Sequence, residues 1–143
     1  MEDIERLVLK QHVAWNALRV NVQEGMEKVR LPSGRMILKH PIQSQSFTSG
    51  PLYDAVHQMF PWANKITVNR NYGATPHRDG KNQGKSAIAF FGKFTGGALA
   101  IDEPGGVRKV SETRKWFFFN GARDRHWVEP FAGNRLSVIA YVH

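Results

Sequence analysis

Three residues in the second half of the chain have the types and spacing of a metal site: His77, Asp79 and His126. His77 and Asp79 are separated by one residue. In an extended segment residues two apart point to the same face, so both side chains can reach one ion. Such a pair also occurs by chance in loops, but here His126 and Arg135 follow at the starts of two predicted strands. The chain has no cysteine, so any metal must be held by His, Asp or Glu.

The chemistry that this set predicts is Fe(II) oxygen chemistry. Two imidazoles and one carboxylate on one face of an octahedral ion leave three coordination positions open. A 2-oxoacid can occupy two of these positions and O2 the third. The distal carboxylate of such a cosubstrate needs a fixed cation, and the guanidinium of Arg135 suits it because it binds a carboxylate bidentately and keeps its proton.

The last predicted strand, Arg135–Val142, argues against the alternative that Arg135 is an ordinary surface residue. Its even positions are all apolar and are predicted to pack on a core: Leu136, Val138, Ala140 and Val142. Its odd positions combine apolar, aromatic and hydrogen-bonding groups: Arg135, Ser137, Ile139, Tyr141 and His143. A solvent-facing row would more usually be charged throughout, whereas a cavity wall that binds a polar ligand has this mixture.

The elements that must position these residues are predicted to be mainly β. Short β-rich runs separated by glycine-containing turns are typical of an all-β sandwich or barrel. They lie at Lys65–Tyr72, Ser86–Phe91, Ala98–Ile101, Trp116–Phe119, His126–Val128 and Arg135–Val142. The region before them contains a predicted hairpin over Met26–His40 and a short helix that starts after Ser49-Gly50-Pro51, carries Leu52, Val56 and Met59 on one side, and ends at Pro61. We therefore expect one domain, with a support region at 1–64 and a β core of about eight strands at 65–143.

The composition indicates a folded intracellular protein with a polyanionic partner. The chain has 143 residues, which is enough for one hydrophobic core, and 41% of them are hydrophobic. No apolar run approaches the length of a membrane span, and the acidic start Met1-Glu2-Asp3 is unlike a signal peptide. The net charge of +8 favours nucleic acid, although solubility alone is the simpler explanation.

These residues resemble a known family. The combination of His77, Asp79, His126 and Arg135 resembles the Fe(II)/2-oxoglutarate-dependent dioxygenases, whose fold is a double-stranded β-helix, also called jelly-roll or cupin-like. The segment 69–101, which reads NRNYGATPHRDGKNQGKSAIAFFGKFTGGALAI, looks like the TET/JBP branch, particularly its compact algal, mobile-element and phage-type members. Enzymes of this branch oxidise the 5-methyl group of pyrimidines in DNA. The resemblance covers the C-terminal half to two-thirds of the chain.

The resemblance implies a role for each matching residue. His77, Asp79 and His126 would bind the iron, and Arg135 with Ser137 would bind 2-oxoglutarate. Asn69 could also reach the cosubstrate, although a turn or ladder role suits it equally. Three further matches would hold a flipped base: Asn82, which completes His-x-Asp-x-x-Asn, would hydrogen-bond it, Tyr141 would stack on it, and His143 would contact its ring edge.

The physical requirements of the implied reaction agree with these roles. A methyl C–H bond offers no polarity to acid–base catalysis, so its oxidation calls for Fe(II), O2 and an oxidisable cosubstrate. The base must be flipped out of the duplex, and stacking and hydrogen bonds offset the cost. Basic residues would then contact phosphates, each with solvated surface charge as the equal alternative. The candidates are Arg70, Arg78, Lys81, Lys85, Arg108, Lys109, Arg114, Lys115, Arg123 and Arg125.

Three functions remain open from the sequence. The first is a DNA 5-methylcytosine dioxygenase that produces 5-hydroxymethylcytosine, with further oxidation possible. The second keeps the chemistry and changes the substrate to thymine in DNA, a methylated RNA base or a protein side chain. Asparagine and histidine can each donate or accept a hydrogen bond, so Asn82 and His143 do not separate cytosine from thymine. The third is a cupin-like nucleic-acid-binding module without catalysis. No protein partner or membrane contact is implied.

Overall fold

The computed structural model describes residues 1–10, 28–30, 32–34, 36–38 and 43–143. The two helices are α1 (Glu2–Lys10) and α2 (Pro51–Met59). The strands of the N-terminal part are β1 (Lys28–Arg30), β2 (Met36–Leu38) and β3 (Gln43–Phe47). The remaining strands are β4 (Lys65–Arg70), β5 (Gln83–Gly96), β6 (Leu99–Glu103), β7 (Gly106–Val110), β8 (Trp116–Phe119), β9 (Arg125–Val128) and β10 (Phe131–Val142).

Two antiparallel sheets form the body of the protein. The main sheet has the strand order β3-β4-β10-β5-β8, and the minor sheet has the order β7-β6-β9. Apolar side chains fill the space between them, with Ile88 and Phe90 on β5 and Leu99 and Ile101 on β6. This arrangement confirms the predicted mainly β, jelly-roll-like core. Neither of the two helices in the described part of the chain is long and apolar enough to cross a membrane.

The central strand β10 separates two environments. It pairs with β4 on one side and β5 on the other. Its even residues Leu136, Val138 and Ala140 are buried with Leu52 and Val56 of α2, on the face that the helices cover. Because successive side chains of a strand alternate between faces, its odd residues face the space between the two sheets. The predicted division of this strand into a core face and a cavity face is therefore confirmed.

Outside this strand the structure differs from the sequence expectations in several places. The predicted hairpin is present as the antiparallel pair β1–β2, while Met26 and His40 lie outside the described residues. β3 pairs with β4, so a strand from the region assigned to the support forms the edge of the main sheet. β7 was not predicted, because its sequence GVRKV has little apolar content and follows a turn. Met59, predicted on the same side of its helix as Leu52 and Val56, is 49% exposed.

The packing of β10 predicts a large stability loss for Leu136→Ala. Leu136 is 1% exposed, and truncating such a leucine leaves a cavity as well as removing buried apolar surface. We expect the free energy of unfolding to fall by about 2–5 kcal/mol, measured by urea denaturation. Val107→Ala, at a position that is 49% exposed, is the control and should change it by less than about 0.5 kcal/mol. Equal effects of the two substitutions would contradict this packing.

Candidate active site

The structure brings His77, Asp79 and His126 together. Nε2 of His77 lies 3.4 Å from Oδ1 of Asp79, and Nε2 of His126 lies 3.1 Å from Oδ2 of the same carboxylate. One ligand atom from each of the three residues lies within 4.8 Å of the others. A single cation can therefore contact two imidazole nitrogens and one carboxylate oxygen at once.

A short antiparallel pairing places the two histidines side by side. The backbone N–H of His77 donates to the carbonyl of His126 at 3.0 Å, and the N–H of His126 donates to the carbonyl of His77 at 2.9 Å. Farther along the pair, the N–H of Val128 donates to the carbonyl of Ala74. The segment 74–79 thus runs along β9, at the edge of the minor sheet. Residues directly opposite in such a pair project to the same face, so both imidazoles point into the space between the sheets.

Each imidazole is held in the form that binds a metal. Nδ1 of His77 lies 2.6 Å from the carbonyl oxygen of Thr75, and Nδ1 of His126 lies 2.9 Å from the carbonyl oxygen of Asp124. A carbonyl only accepts, so Nδ1 carries the proton in both rings and, in the neutral imidazole, Nε2 presents its lone pair. Such outer contacts fix the tautomer and orientation of metal-binding histidines.

Asp79 is held in its charged form. Burial by itself raises the pKa of its carboxyl, but the contacts with His126 and His77 outweigh burial and set that pKa well below its usual range. The backbone N–H of Asp79 donates to the carbonyl of Gly121 at 2.8 Å. A cation that replaced the Nε2 protons in these contacts would meet one carboxylate and two Nε2 lone pairs, a donor set that fits Fe(II).

Gly121 leaves room for this donor set. A Cβ atom at this position would lie 3.0 Å from Oδ2 of Asp79 and 3.3 Å from Cε1 of His126. The loop that contains Gly121 also supplies the Asp124 carbonyl that orients His126. One loop therefore holds two metal ligands, Asp79 and His126, through one backbone carbonyl each, and has no side chain at the point nearest to the carboxylate.

Arg135 is a buried cation with unused donor capacity. It is 2% exposed, and its Nε donates to the carbonyl of Gly97 at 2.9 Å, while Nη2 has no hydrogen-bond partner among the described residues. Burial lowers the pKa of Arg135 to about 10, so it stays charged at neutral pH. Its guanidinium lies 5.0 Å from the ring centre of Phe90. A charge in such surroundings needs an anionic partner, and the distal carboxylate of 2-oxoglutarate would provide one.

Residues of β4 and Asn71, which follows it, hold the backbone of Arg135 and place further polar groups beside it. Asn71 accepts a hydrogen bond from the backbone N–H of Arg135 at 2.8 Å. Ser137, which is 2% exposed, lies opposite Asn69 in the β4–β10 pair. Oδ1 of Asn69 accepts a hydrogen bond from Oγ of Ser44 on β3, at 2.6 Å.

One cavity of about 360 Å³ is lined by all nine residues that the sequence analysis assigned to the metal, the cosubstrate and the base. This volume is within the range of about 300–1,000 Å³ that is usual for ligand sites. Asn82 lies close to the metal ligands, because its backbone N–H donates to the carbonyl of Asp79. The hydroxyl of Tyr141 lies 2.8 Å from Oγ1 of Thr67. His143 is anchored by its backbone N–H, which donates to Oδ1 of Asn64 at 2.9 Å.

The structure adds residues to this site that the sequence analysis missed. Thr67 could have been found, because it shares the cavity-facing side of β4 with Asn69. Phe119 and Tyr72 also line the cavity, but nothing in their local sequence distinguishes them from other buried aromatics. The role of Asn71 depends on its backbone, which adopts a φ of 54° at the end of β4. A turn of this kind was not recognisable from the pattern.

The candidate phosphate contacts have different surroundings. Several are engaged by carboxylates: Arg108 with Glu103, Lys109 with Glu129, Arg114 with Glu5, Lys115 with Glu112 and Arg123 with Asp124. Arg78 donates to the carbonyl of Arg123, and Lys85 lies over the ring of Trp62. Arg70 is at the far end of β4 from Tyr141, and Arg125 alternates with His126 and so points away from the cavity. Lys81 is the candidate that lines the cavity.

Comparison with known proteins supports the fold. No model of a known protein family matches the chain, and no curated protein sequence matches it. Among solved structures, the chain is similar to NgTET1 in complex with 5mC DNA, with 21% identity and a TM-score of 0.50, over 57% of this chain and 34% of NgTET1. It therefore spans about a third of the length of that protein.

Two bacterial structures match over more of their length. An oxidoreductase of the 2OG-Fe(II) oxygenase family from Burkholderia pseudomallei has 16% identity and a TM-score of 0.56, over 80% of this chain and 71% of that one. A prolyl-4-hydroxylase from Pseudomonas putida has 18% identity and a TM-score of 0.52, over 71% and 70%. At these identities the likeness shows a shared fold. The fold and the donor set together fit an Fe(II)/2-oxoglutarate-dependent oxygenase.

The unused donors of Arg135 predict that Arg135→Met weakens 2-oxoglutarate binding without lowering the stability of the protein. Loss of a charge-assisted contact of about 1.5–3 kcal/mol should raise the Kd for 2-oxoglutarate roughly 10- to 100-fold. The metal-free protein should be no less stable by urea denaturation, because a buried, unpaired charge is replaced by an apolar side chain. Binding can be followed anaerobically by the charge-transfer band of the Fe(II) complex. As a control, 2-oxobutyrate lacks the distal carboxylate, and its Kd should be unchanged. A destabilised variant that still binds 2-oxoglutarate normally would show that Arg135 is structural.

The space at Gly121 predicts that Gly121→Ala weakens metal binding. The added Cβ would displace Asp79 or His126, and we expect the Kd for Mn(II), measured by electron paramagnetic resonance of the free ion, to rise about tenfold, as for other outer contacts of metal ligands. Gly105→Ala is the matched control, since a Cβ there would meet nothing within 4 Å. Unchanged Mn(II) affinity in a folded Gly121→Ala variant would contradict the crowding.

Proposed function

We propose that this protein is a DNA 5-methylcytosine dioxygenase, which oxidises the methyl group of a flipped-out base to 5-hydroxymethylcytosine with Fe(II), 2-oxoglutarate and O2. The observation that carries the proposal is the sharing of one cavity. Asn82, Tyr141 and His143 line the same cavity as the three metal ligands and Arg135. A site for the cosubstrate alone would not need a second group of polar and aromatic side chains.

The two ends of β10 divide the cavity between the cosubstrate and the base. Arg135 and Tyr141 both point into the cavity from this strand, and six residues of an extended strand span about 20 Å. Arg135 and Ser137 would hold the distal carboxylate of 2-oxoglutarate at one end. At the other end, Tyr141, with its hydroxyl held by Thr67, presents a fixed aromatic ring to a base.

The remaining residues would orient the methyl group and exclude water. Asn82 and His143 offer a side-chain amide and an imidazole to the edge of the base. Ile88, Phe119 and Ile139 form apolar walls of the cavity, which strengthens every polar contact inside it. When bound, Fe(II) with 2-oxoglutarate and O2 supplies the oxidising power that no side chain of this site has.

Two further observations support a DNA substrate. The net charge of +8 favours a polyanion, and NgTET1, which shares the fold, was solved in complex with 5mC DNA. Thymine carries the same methyl group, and Asn82 and His143 could serve its ring edge as well, so unmethylated DNA belongs in the same assay. A DNA substrate would also place the protein in the compartment that holds the DNA.

The test is product analysis with two DNA substrates. Duplexes with and without 5-methylcytosine are incubated with Fe(II), 2-oxoglutarate and O2, and the nucleosides are identified by mass spectrometry. We expect 5-hydroxymethylcytosine from the methylated duplex. Oxidised thymine from both duplexes would assign the second substrate instead. A protein that showed no charge-transfer band with Fe(II) and 2-oxoglutarate under anaerobic conditions, and gave no product, would be a non-catalytic binding module.

The role of Asn82 predicts a selective loss. Asn82→Ala removes about one buried hydrogen bond to the base, so kcat/KM for methylated DNA should fall about tenfold, while the charge-transfer band stays intact. Gln83→Ala is the matched control, since Gln83 is exposed and does not line the cavity. Equal kcat/KM values for the Asn82→Ala and Gln83→Ala variants would remove Asn82 from the base site.

A further inference from the structure

Two lysines flank the base end of the cavity on different structural elements. Lys65 is the first residue of β4 and lies directly opposite Tyr141 in the β4–β10 pair. It is two residues before Thr67 and four before Asn69, which both line the cavity, so its side chain leaves β4 on the cavity-facing side. Lys81 lines the cavity and lies in the turn between Asp79 and the start of β5.

The order of strands places the proposed base site between these lysines. In the main sheet β10 lies between β4 and β5. Tyr141 on β10 therefore lies between Lys65 on β4 and the start of β5, which follows Lys81 in the chain. Neighbouring strands are about 4.8 Å apart, so β4 and β5 are about 10 Å apart. Residues 141–143 are held in place by Asn64. Its backbone N–H donates to the carbonyl of Tyr141 at 3.1 Å, and its Oδ1 accepts a hydrogen bond from the backbone N–H of His143.

Both lysines are available to an anionic ligand. Neither forms an ion pair with a carboxylate of the described residues, in contrast to Lys109 and Lys115. Among the residues that line the cavity, the sole side-chain carboxylate is that of Asp79, which belongs to the metal site. The entrance at this end is therefore positively charged on both sides of an aromatic ring.

We infer that Lys65 and Lys81 bind the two phosphodiesters on either side of the target nucleotide, so that the site takes a nucleotide within a strand and not a free nucleoside. This inference rests on the proposed function. A flipped nucleotide enters a pocket with its base first, and its two flanking phosphates stay at the entrance on opposite sides of the base. Lysine is a flexible point charge that suits such a contact.

Salt-dependent binding tests the inference without turnover. A fluorescein-labelled duplex with one 5-methylcytosine is titrated anaerobically with the Fe(II) and 2-oxoglutarate-loaded protein, and fluorescence anisotropy gives the affinity at several KCl concentrations. Each phosphate contact contributes about 0.9 to the slope of log affinity against log salt. We expect Lys65→Gln and Lys81→Gln each to reduce the magnitude of the slope by about 0.9. Lys65→Arg keeps the positive charge and should leave the slope at the value of the unsubstituted protein. The charge-transfer band should be unchanged in every variant.

Lys93→Gln is the matched control. Lys93 is an exposed lysine on β5 that pairs with Asn134, at the opposite end of the same sheet. It should leave the slope unchanged. A Lys65→Gln slope equal to that of Lys93→Gln would overturn the inference.

A comparison of substrate sizes separates this inference from the proposed function. The trinucleotide with central 5-methyldeoxycytidine has both flanking phosphates, and the free nucleoside has neither. We expect oxidation of the trinucleotide to exceed that of the nucleoside at least tenfold. A variant that combines Lys65→Gln with Lys81→Gln should lose this preference. Equal oxidation of both would overturn the lysine contacts and leave the proposed function standing. Absence of oxidation, with the slope changes present, would overturn the proposed function and leave the lysine contacts standing.

Discussion

The register of β10 between β4 and β5 determines both the core and the active site of this protein. A strand alternates its side chains strictly, so a slip of one residue would turn Arg135 and Ser137 toward the helices and Leu136 toward the cavity. The pairing with β5 is fixed at Gly92, which has a φ of 94° and where a Cβ would lie 2.2 Å from the carbonyl oxygen of Asn134. Because any side chain at Gly92 would push the two strands apart there, the stability of the fold and the position of the arginine depend on the same pairing.

The opposite charges of Arg135 and Asp79 explain why these two residues belong to one cavity. Arg135 is buried without a carboxylate partner among the described residues, and Asp79 is the carboxylate nearest to the two histidines. Arg135 is a buried cation, and such a group is costly unless a ligand neutralises it. Asp79, whose side chain is 38% exposed, carries the opposite charge at the other end of the set. A divalent cation at Asp79 and a doubly negative 2-oxoglutarate at Arg135 would leave the whole set neutral. The apolar walls between them then strengthen the binding of both.

The sequence predicted which residues would lie together in the cavity, because their placement follows local patterns. The alternation in β10 gave the face of Arg135, and the spacing of His77 and Asp79 gave two ligands on one side of an extended segment. The pairing of that segment with β9 was not predictable, since it joins His77 to a partner far along the chain. Nor could the sequence distinguish free cations from paired ones. Arg114 looks like any basic residue until the fold places it 2.9 Å from Glu5 of α1.

The choice of substrate must come from the entrance of the cavity. The metal ligands and Arg135 would account for oxygen and cosubstrate chemistry, and a shared fold does not select what is oxidised. The distinguishing residues are therefore those beyond the metal on the way out, namely Asn82, Tyr141, His143, Lys65 and Lys81. They come from three separate stretches of chain. Asn64 links two of these stretches, because its side-chain Oδ1 accepts a hydrogen bond from the backbone N–H of His143 and its backbone N–H donates to the carbonyl of Tyr141. Since hydrogen bonds at a strand end readily fray, the precision of the proposed base site would depend on Asn64, a residue that does not line the cavity.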